Sequence, residues 1–520
     1  MTSNSPEHVA EHRAELRRTA TVVLGLTGLL GATYLVPEAQ ALRPWLPGEP
    51  VPLVRLLTPT HTIEETQQGE LIAVPTAAAA TVEPPPAAPV VPEAPKDPAV
   101  VDPSTLPTHA PALPRALELN PGALDGFYTA LAEVEAGTPG RIARVLHWGD
   151  STIAADGIAS SVRARLAARF GDGGPGFLPI AADPAWNLRP GVLRTAEGTW
   201  DMHNITFGGI EQPRYGLAGI VTTATEAAGS TLGGLKVEGG RQLLTRMDLY
   251  YMVQPGGGSL SLKPRGAGGA NLSTAAEKVG DRYKEVKLQT GAQTVYVAAG
   301  GDGPVTVYGV ALETAGPGVT WESFGVAGSS IGSLTRQSKA HLAGQVARRD
   351  PDLIVYMTGG NEVGYPSLAA GEGAEAGAGY RDAYRIALAK LRAGKPTASC
   401  LVLGPLDQAR RERGQIETKP MLARMIQIQR TVALEDGCAF WDAQAAMGGN
   451  GGFARFLNHQ PKMAWTDLMH LTLEGQDMIG QTLADAILAS YDGWKKAHPD
   501  AGKPPDAGKP PDAAPAPAPQ

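Results

Sequence analysis

Between about residues 116 and 497, apolar positions recur in two alternating rhythms. Leu124, Phe127, Leu131 and Val134 stand three or four apart after Asn120-Pro121, which predicts an opening helix. Arg144-Val-Leu-His-Trp148 then reads as a short apolar strand, and Val162, Leu166 and Phe170 resume helical spacing. Strand-like runs return at Trp321–Val326, Leu353–Thr358, Cys400–Gly404 and Cys438–Asp442, each separated from the next by a helical stretch. Leu473, Met478, Ile479 and Leu483 mark a terminal helix. Strands alternating with helices imply a parallel sheet covered on both faces. The expectation is a three-layer α/β/α domain with a five-stranded parallel sheet, built from residues 116–200 and 316–497.

The interval 201–315 keeps a different period. Met247, Leu249, Tyr251 and Val253 alternate with Asp248, Tyr250 and Met252. Further short runs follow at Ser259–Leu262, Glu285–Leu288, Thr294–Val297 and Val305–Leu312, divided by glycine turns at 256–258 and 300–303. This predicts an all-β module, a sandwich or jelly roll, inserted between the first helix and second strand of the α/β domain.

The ends of the chain read as neither. Residues 1–18 are polar and close on Arg17-Arg18, and residues 19–36 are apolar and uncharged. Eighteen such residues fall between a signal-peptide core and a membrane span. Ala39-Gln40-Ala41 has the small-x-small form of a cleavage site, with the cut after Ala41. A removed signal peptide and an inner-membrane anchor with its basic flank inside both remain open. Either reading exports the rest, to a periplasmic location that is tethered or released. Residues 42–115 are a Pro/Ala-rich linker, extended and semi-rigid. Residues 498–520 are a second Pro/Ala-rich segment with a direct repeat at 501–512, and with nothing to bury they are expected to be disordered.

Composition removes several partners. A net charge of -7 without a Lys/Arg run argues against nucleic acid. The glycine-rich Gly171–Gly176 lacks a Lys-Ser/Thr ending and follows a helix, which argues against a nucleotide. The two cysteines, Cys400 and Cys438, have no companion ligands at metal-site spacing, so neither a metal nor another cofactor is expected. They begin adjacent predicted strands, so they could pair as a disulfide in an exported protein or pack as small buried hydrophobes.

Four segments carry candidate chemistry, all at predicted strand ends or before the last helix. Gly149-Asp150-Ser151-Thr152 would present a hydroxyl where open α/β sheets bind ligands. Asp467-Leu-Met-His470 spaces a carboxylate and an imidazole so that both can face one hydroxyl. Gly359-Gly360-Asn361 ends an apolar strand with an amide able to donate to an oxyanion. Phe324-Gly-Val-Ala-Gly328-Ser329 ends another with a glycine turn whose N–H is a second donor. Each segment alone has a bland reading as a cap, a turn or a surface pair. Their common order and placement does not.

In that order the segments resemble the blocks of the SGNH (GDSL-like) hydrolase superfamily. The resemblance implies Ser151 as nucleophile, His470 as general base and Asp467 as its orienting partner. It implies an oxyanion hole from the Ser151 N–H, the Gly328 N–H and the Asn361 amide, with Asp150 and Gly360 in support. Glu362 departs from the aspartate often found after the third-block asparagine. His147-Trp-Gly-Asp-Ser151, Phe170–Phe177 and Ala439–Gly449 are similar to bacterial carbohydrate O-acetylesterases, of which those related to peptidoglycan O-acetylesterases carry a β-sandwich insert after the first block. The implied activity is hydrolysis of O-acetyl esters on a cell-envelope polysaccharide through an acyl-serine. Acetyl transfer by the same triad and a non-catalytic glycan-binding scaffold are the rival readings. His147 is expected to be a packed core histidine. Trp186, Trp321, Trp441 and Trp465 could line a sugar cleft, although core packing explains them equally well.

Overall fold

Five strands that are almost entirely buried organise the molecule. They are β1 (Ile142–Gly149), β2 (Gly318–Gly325), β3 (Leu353–Met357), β4 (Ser399–Leu403) and β5 (Ala439–Trp441). All neighbours run parallel, in the order β2-β1-β3-β4-β5. The computed structural model describes residues 112–181, 187, 189–208, 210, 213–266 and 268–503.

β3, β4 and β5 read as largely apolar runs because helices cover both faces. Alternate side chains serve opposite layers. Val145, Trp321, Val355, Leu401 and Trp441 join the core with α1 (Asp125–Glu135), α2 (Gly157–Phe170) and the terminal helix Leu473–Ala497. Leu146, Phe324, Ile354, Val402 and Phe440 face the other way, onto α3 (Lys339–Arg349), α4 (Ala378–Arg392) and α5 (Leu422–Glu435). The expected three-layer domain with a five-stranded parallel sheet is therefore present. Chain order reverses between β1 and β3, so the crevice for a ligand opens at their C-terminal ends.

Between α2 and β2 lie two six-stranded antiparallel sheets. Leu232, Leu260, Leu262, Val295 and Val297 from one share a core with Met247, Leu249, Val253, Val305 and Val307 from the other. These sheets also take up Gly176–Leu178, paired with Val305–Glu313, and Val192–Glu197, paired with Ala227–Val237. The crossing from one part to the other therefore begins within Gly171–Gly176, upstream of residue 201. Its glycines are required there: Gly176 has φ +70, and a Cβ on it would sit 2.4 Å from the Glu322 side chain.

A buried ion network couples the antiparallel part to the parallel sheet. Glu313 accepts from Arg144 at 2.7 Å, from Arg246 at 2.9 Å and from Arg349 at 2.6 Å. Arg349 also holds Glu322 at 2.5 Å. Burial pushes the Glu313 carboxyl up, but Arg349, Arg144 and Arg246 outweigh it and hold it far below the usual carboxylate range. Cys400 and Cys438 form a disulfide across β4 and the entry to β5, with Cα atoms 4.5 Å apart.

The leader (1–18), the apolar stretch 19–36, most of the linker and residues 504–520 lie outside the described residues. Among the described residues, no helix is long and apolar enough to cross a membrane.

Candidate active site

The β1 exit is built for close approach. A Cβ on Gly149 would lie 2.3 Å from the Ile153 side chain and 2.9 Å from the Met357 carbonyl, so the tight turn accepts only glycine. The chain then enters a one-turn helix, Ser151–Ala154. Asp150 caps it, its Oδ1 accepting the Thr152 N–H at 2.9 Å. Its Oδ2 accepts the Gly360 N–H at 2.9 Å, clamping the loops after β1 and β3 together. Ser151 thereby occupies the first helical position, where backbone N–H groups have no intrahelical acceptor.

The Asp467–His470 turn reaches the same point from before the terminal helix. Asp467 Oδ1 accepts the N–H groups of Met469 and His470, both at 3.0 Å, and this folds the turn around its own carboxylate. Leu468 takes a left-handed φ of 63° to allow it. Asp467 Oδ2 lies 2.7 Å from His470 Nδ1, and His470 Nε2 lies 2.8 Å from Ser151 Oγ. With Nδ1–H donated to the carboxylate, the Nε2 lone pair faces the serine hydroxyl. Burial raises the Asp467 pKa, but hydrogen bonds from the His470 ring and the turn's N–H groups bring it below its ordinary value. The carboxylate therefore stays charged beside the imidazole.

The β2 exit is tied to the same place. The Val326 N–H and the Ser329 hydroxyl both donate to the Gly149 carbonyl, at 3.1 Å each. Gly328 holds φ +72 between them, and its N–H has no acceptor among the described residues. Asn361 Nδ2 donates to the Ser329 carbonyl at 2.8 Å, which leaves its second amide hydrogen free. Ser151, His470 and Asp467 are thus in direct contact, while Gly328 and Asn361 are linked to each other through Ser329 rather than bonded to Ser151.

The sequence pattern did not point to several neighbours. Glu362 is fully buried; its Oε1 accepts from the Ile331 N–H at 2.9 Å and the Thr358 hydroxyl at 2.6 Å. It therefore supports the segment just after Gly328, and its place beside Asn361 was the only sequence signal. Lys419 bonds Gln408 Oε1 at 3.2 Å, and Gln408 Nε2 bonds the Gly359 carbonyl at 2.9 Å. Burial lowers the Lys419 pKa, with nearby Asp467 pulling the other way. No motif marks either residue.

Other candidates fall away. His147 is buried and accepts from Trp321 Nε1 at 3.1 Å; burial depresses its pKa to about 3, so it is neutral core. Trp321 and Trp441 are fully buried, Trp186 lies outside the described residues, and Trp465, whose N–H bonds the His470 carbonyl, is partly exposed. His341 and Asp281 form a second imidazole–carboxylate pair at 2.8 Å. There Nε2 is spent accepting the Gly216 N–H at 2.9 Å, so that pair is structural.

Residues 267–478 match the family model described as GDSL-like lipase/acylhydrolase, a span that holds Gly328, Asn361, Asp467 and His470 but starts after Ser151. A solved structure described as "Peptidoglycan O-acetylesterase in action, 5 min" superposes with a TM-score of 0.60 at 22% identity, over 71% of this chain and 96% of that one. This is a likeness of fold. The acetyl xylan esterase AlAXEase (20% identity, TM-score 0.24) covers 33% of the chain and 81% of its own length. Axe2, an acetylxylan esterase from Geobacillus stearothermophilus (24%, 0.24), covers 34% and 73%. No curated protein sequence matches the chain.

Proposed function

Since the chain is an SGNH (GDSL-like) hydrolase, we propose that it removes O-acetyl groups from a cell-envelope polysaccharide such as peptidoglycan. The observation that carries this reading is the continuous relay Ser151 Oγ–His470 Nε2 at 2.8 Å and His470 Nδ1–Asp467 at 2.7 Å. In it, His470 takes the Ser151 proton as Oγ attacks the acetyl carbonyl carbon, and Asp467 stabilises the imidazolium. The N–H groups of Ser151 and Gly328 and the free Asn361 amide hydrogen meet the oxyanion. His470 then protonates the departing sugar oxygen, leaving acetyl-Ser151, which water cleaves to acetate by the reverse proton path.

The likeness of fold to a peptidoglycan O-acetylesterase supports a carbohydrate acetyl ester as substrate. The shared core of the two antiparallel sheets supports reading them as an inserted sandwich. The apolar stretch 19–36 and the proline-rich linker support an exported enzyme, held at the inner membrane or released from it. Acetate release from O-acetylated peptidoglycan, with Ser151→Ala as control, tests the reading. Equal release by both proteins, or none by the wild type across a panel of acetylated glycans, refutes it.

A further inference from the structure

The antiparallel part reaches the site through the turn Asn204–Gly208. Its Thr206 hydroxyl donates to the Ala327 carbonyl at 3.1 Å, and its methyl would lie 3.2 Å from a Cβ on Gly328. Arg336 donates to the carbonyls of Ile205 and Thr206, both at 3.0 Å. Asn204 Oδ1 accepts the Thr206 N–H at 3.0 Å, and the Gly208 N–H closes on the Asn204 carbonyl at 3.2 Å. The backbone is pinned at both ends and through its middle. Yet Phe207, in that turn, is 58% exposed.

A second large aromatic is held in the same way. The Trp465 N–H donates to the His470 carbonyl at 2.9 Å, and its side chain is 37% exposed. The two residues sit on turns that lie on opposite flanks of β1. Phe207 stands on the Gly328 turn that follows β2, on one flank of β1. Trp465 belongs to the His470 turn, which the Leu468 carbonyl joins to Ala409 in the segment after β4, on the other flank. Leaving either ring partly in water forgoes the part of its burial free energy that a stacked partner would recover. Exposed rings carried on backbone held this way, beside reactive groups, are suited to a partner with a flat apolar face and a polar edge. The C–H face of a pyranose is such a partner.

We infer that Phe207 and Trp465 are stacking platforms for sugar rings on either side of Ser151, so that the antiparallel module forms one wall of the substrate cleft. The substrate is then bound as a chain of at least two pyranoses and not as a bare ester. This rests on the reading of Ser151 as the nucleophile of a carbohydrate esterase.

The test compares kcat/KM for soluble O-acetylated peptidoglycan strands with that for vinyl acetate, which has no ring to stack. In full-length protein, Phe207→Ala should lower the ratio of the two roughly tenfold or more, the loss expected for one unburied aromatic. Phe207→Trp should restore the ratio and Phe207→Leu should not, and Trp465→Ala should shift it in the same direction. A parallel fall on both substrates overturns the proposal, because the turn would then act only by supporting Gly328. An unchanged ratio overturns it too. A second arm needs no turnover. In the Ser151→Ala background, calorimetric affinity for the same strands should weaken roughly tenfold on adding Phe207→Ala. If neither substrate is cleaved by the wild type but this affinity loss appears, the esterase reading fails and the platforms stand. If turnover is present and the affinity is indifferent to Phe207, the platforms fail and the esterase stands.

Discussion

Replacing Glu362 with glutamine should make the protein more stable above neutral pH, not less. The Glu362 carboxyl is fully enclosed by groups from several elements: Asp150 after β1, Tyr356 on β3, and Tyr380 and Tyr384 on α4. Oε1 has two donors, whereas Oε2 has no partner among the described residues. Burial first, and the Asp150 charge second, raise its pKa from 4.5 to about 7, against the opposing bonds from Thr358 and Ile331. A raised folded-state pKa means that the native state holds a proton which the unfolded chain has released. The associated stability is complete below pH 4.5, declines as pH rises toward about 7 and is flat beyond. At about 1.4 kcal/mol per unit, the decline amounts to roughly 3 kcal/mol. Glutamine keeps an acceptor for Ile331 and Thr358 and cannot ionise. The difference in unfolding free energy between Glu362→Gln and wild type, taken from urea melts between pH 4.5 and 8, should therefore grow with pH in favour of the variant. Titrations of groups that do not interact with Glu362 cancel in that difference. A difference that stays constant across the range would refute the argument.

Three further outcomes follow from the same structure. Asn361→Ala removes both the proposed oxyanion donor and the bond to the Ser329 carbonyl; kcat for acetate release should fall roughly 10²–10³-fold, and an unchanged rate would count against the oxyanion role. Arg349→Ala strands Glu313 and Glu322 without their shared buried partner and should cost about 3–5 kcal/mol in denaturant melts. Adding Glu313→Gln and Glu322→Gln should recover part of that loss. Breaking the Cys400–Cys438 bond, which closes a separation of 38 residues, should cost about 4 kcal/mol on the chain-entropy model, read as a lower melting temperature of Cys400→Ala/Cys438→Ala.

What was legible in the sequence depended on whether a single physical pattern carried it. The parallel strands are covered on both faces, so their apolar runs stand out, and β2 to β5 appear within a few residues of their expected bounds. The contact of His470 with Asp467 was legible because the two are close in sequence and their turn closes on itself. The start of the antiparallel part was not. Gly176–Leu178 is three residues long between Pro175 and Pro179, and only its pairing with Val305–Glu313 makes it a strand. Long-range partnerships were hidden for the same reason. Nothing local announces that Asp150 will bind the Gly360 N–H, that Glu362 will bind the Ile331 N–H, or that Thr206 will rest against Gly328.

Those hidden contacts explain why three exits from one sheet act as a single site. A serine after β1 and an amide after β3 are fixed relative to each other only if their loops are fixed, and no strand hydrogen bond extends that far. Asp150 does this between β1 and β3, with one carboxylate oxygen on each loop. Ser329 does it between β1, β2 and β3, its hydroxyl on the Gly149 carbonyl and its own carbonyl on Asn361. Glu362 ties β3 back to the segment after β2 through Ile331. All three ties are buried or nearly so, where a lost hydrogen bond leaves its partner unsatisfied at a cost of about 1–3 kcal/mol. The turn Asn204–Gly208 adds a fourth tie from the antiparallel part, pressing on Gly328 from outside the sheet. The geometry at Ser151 is thus set by groups that need not touch substrate. Substitutions at Asp150, Ser329 or Thr206 should then lower kcat through misplaced donors while leaving the Ser151–His470–Asp467 relay chemically intact.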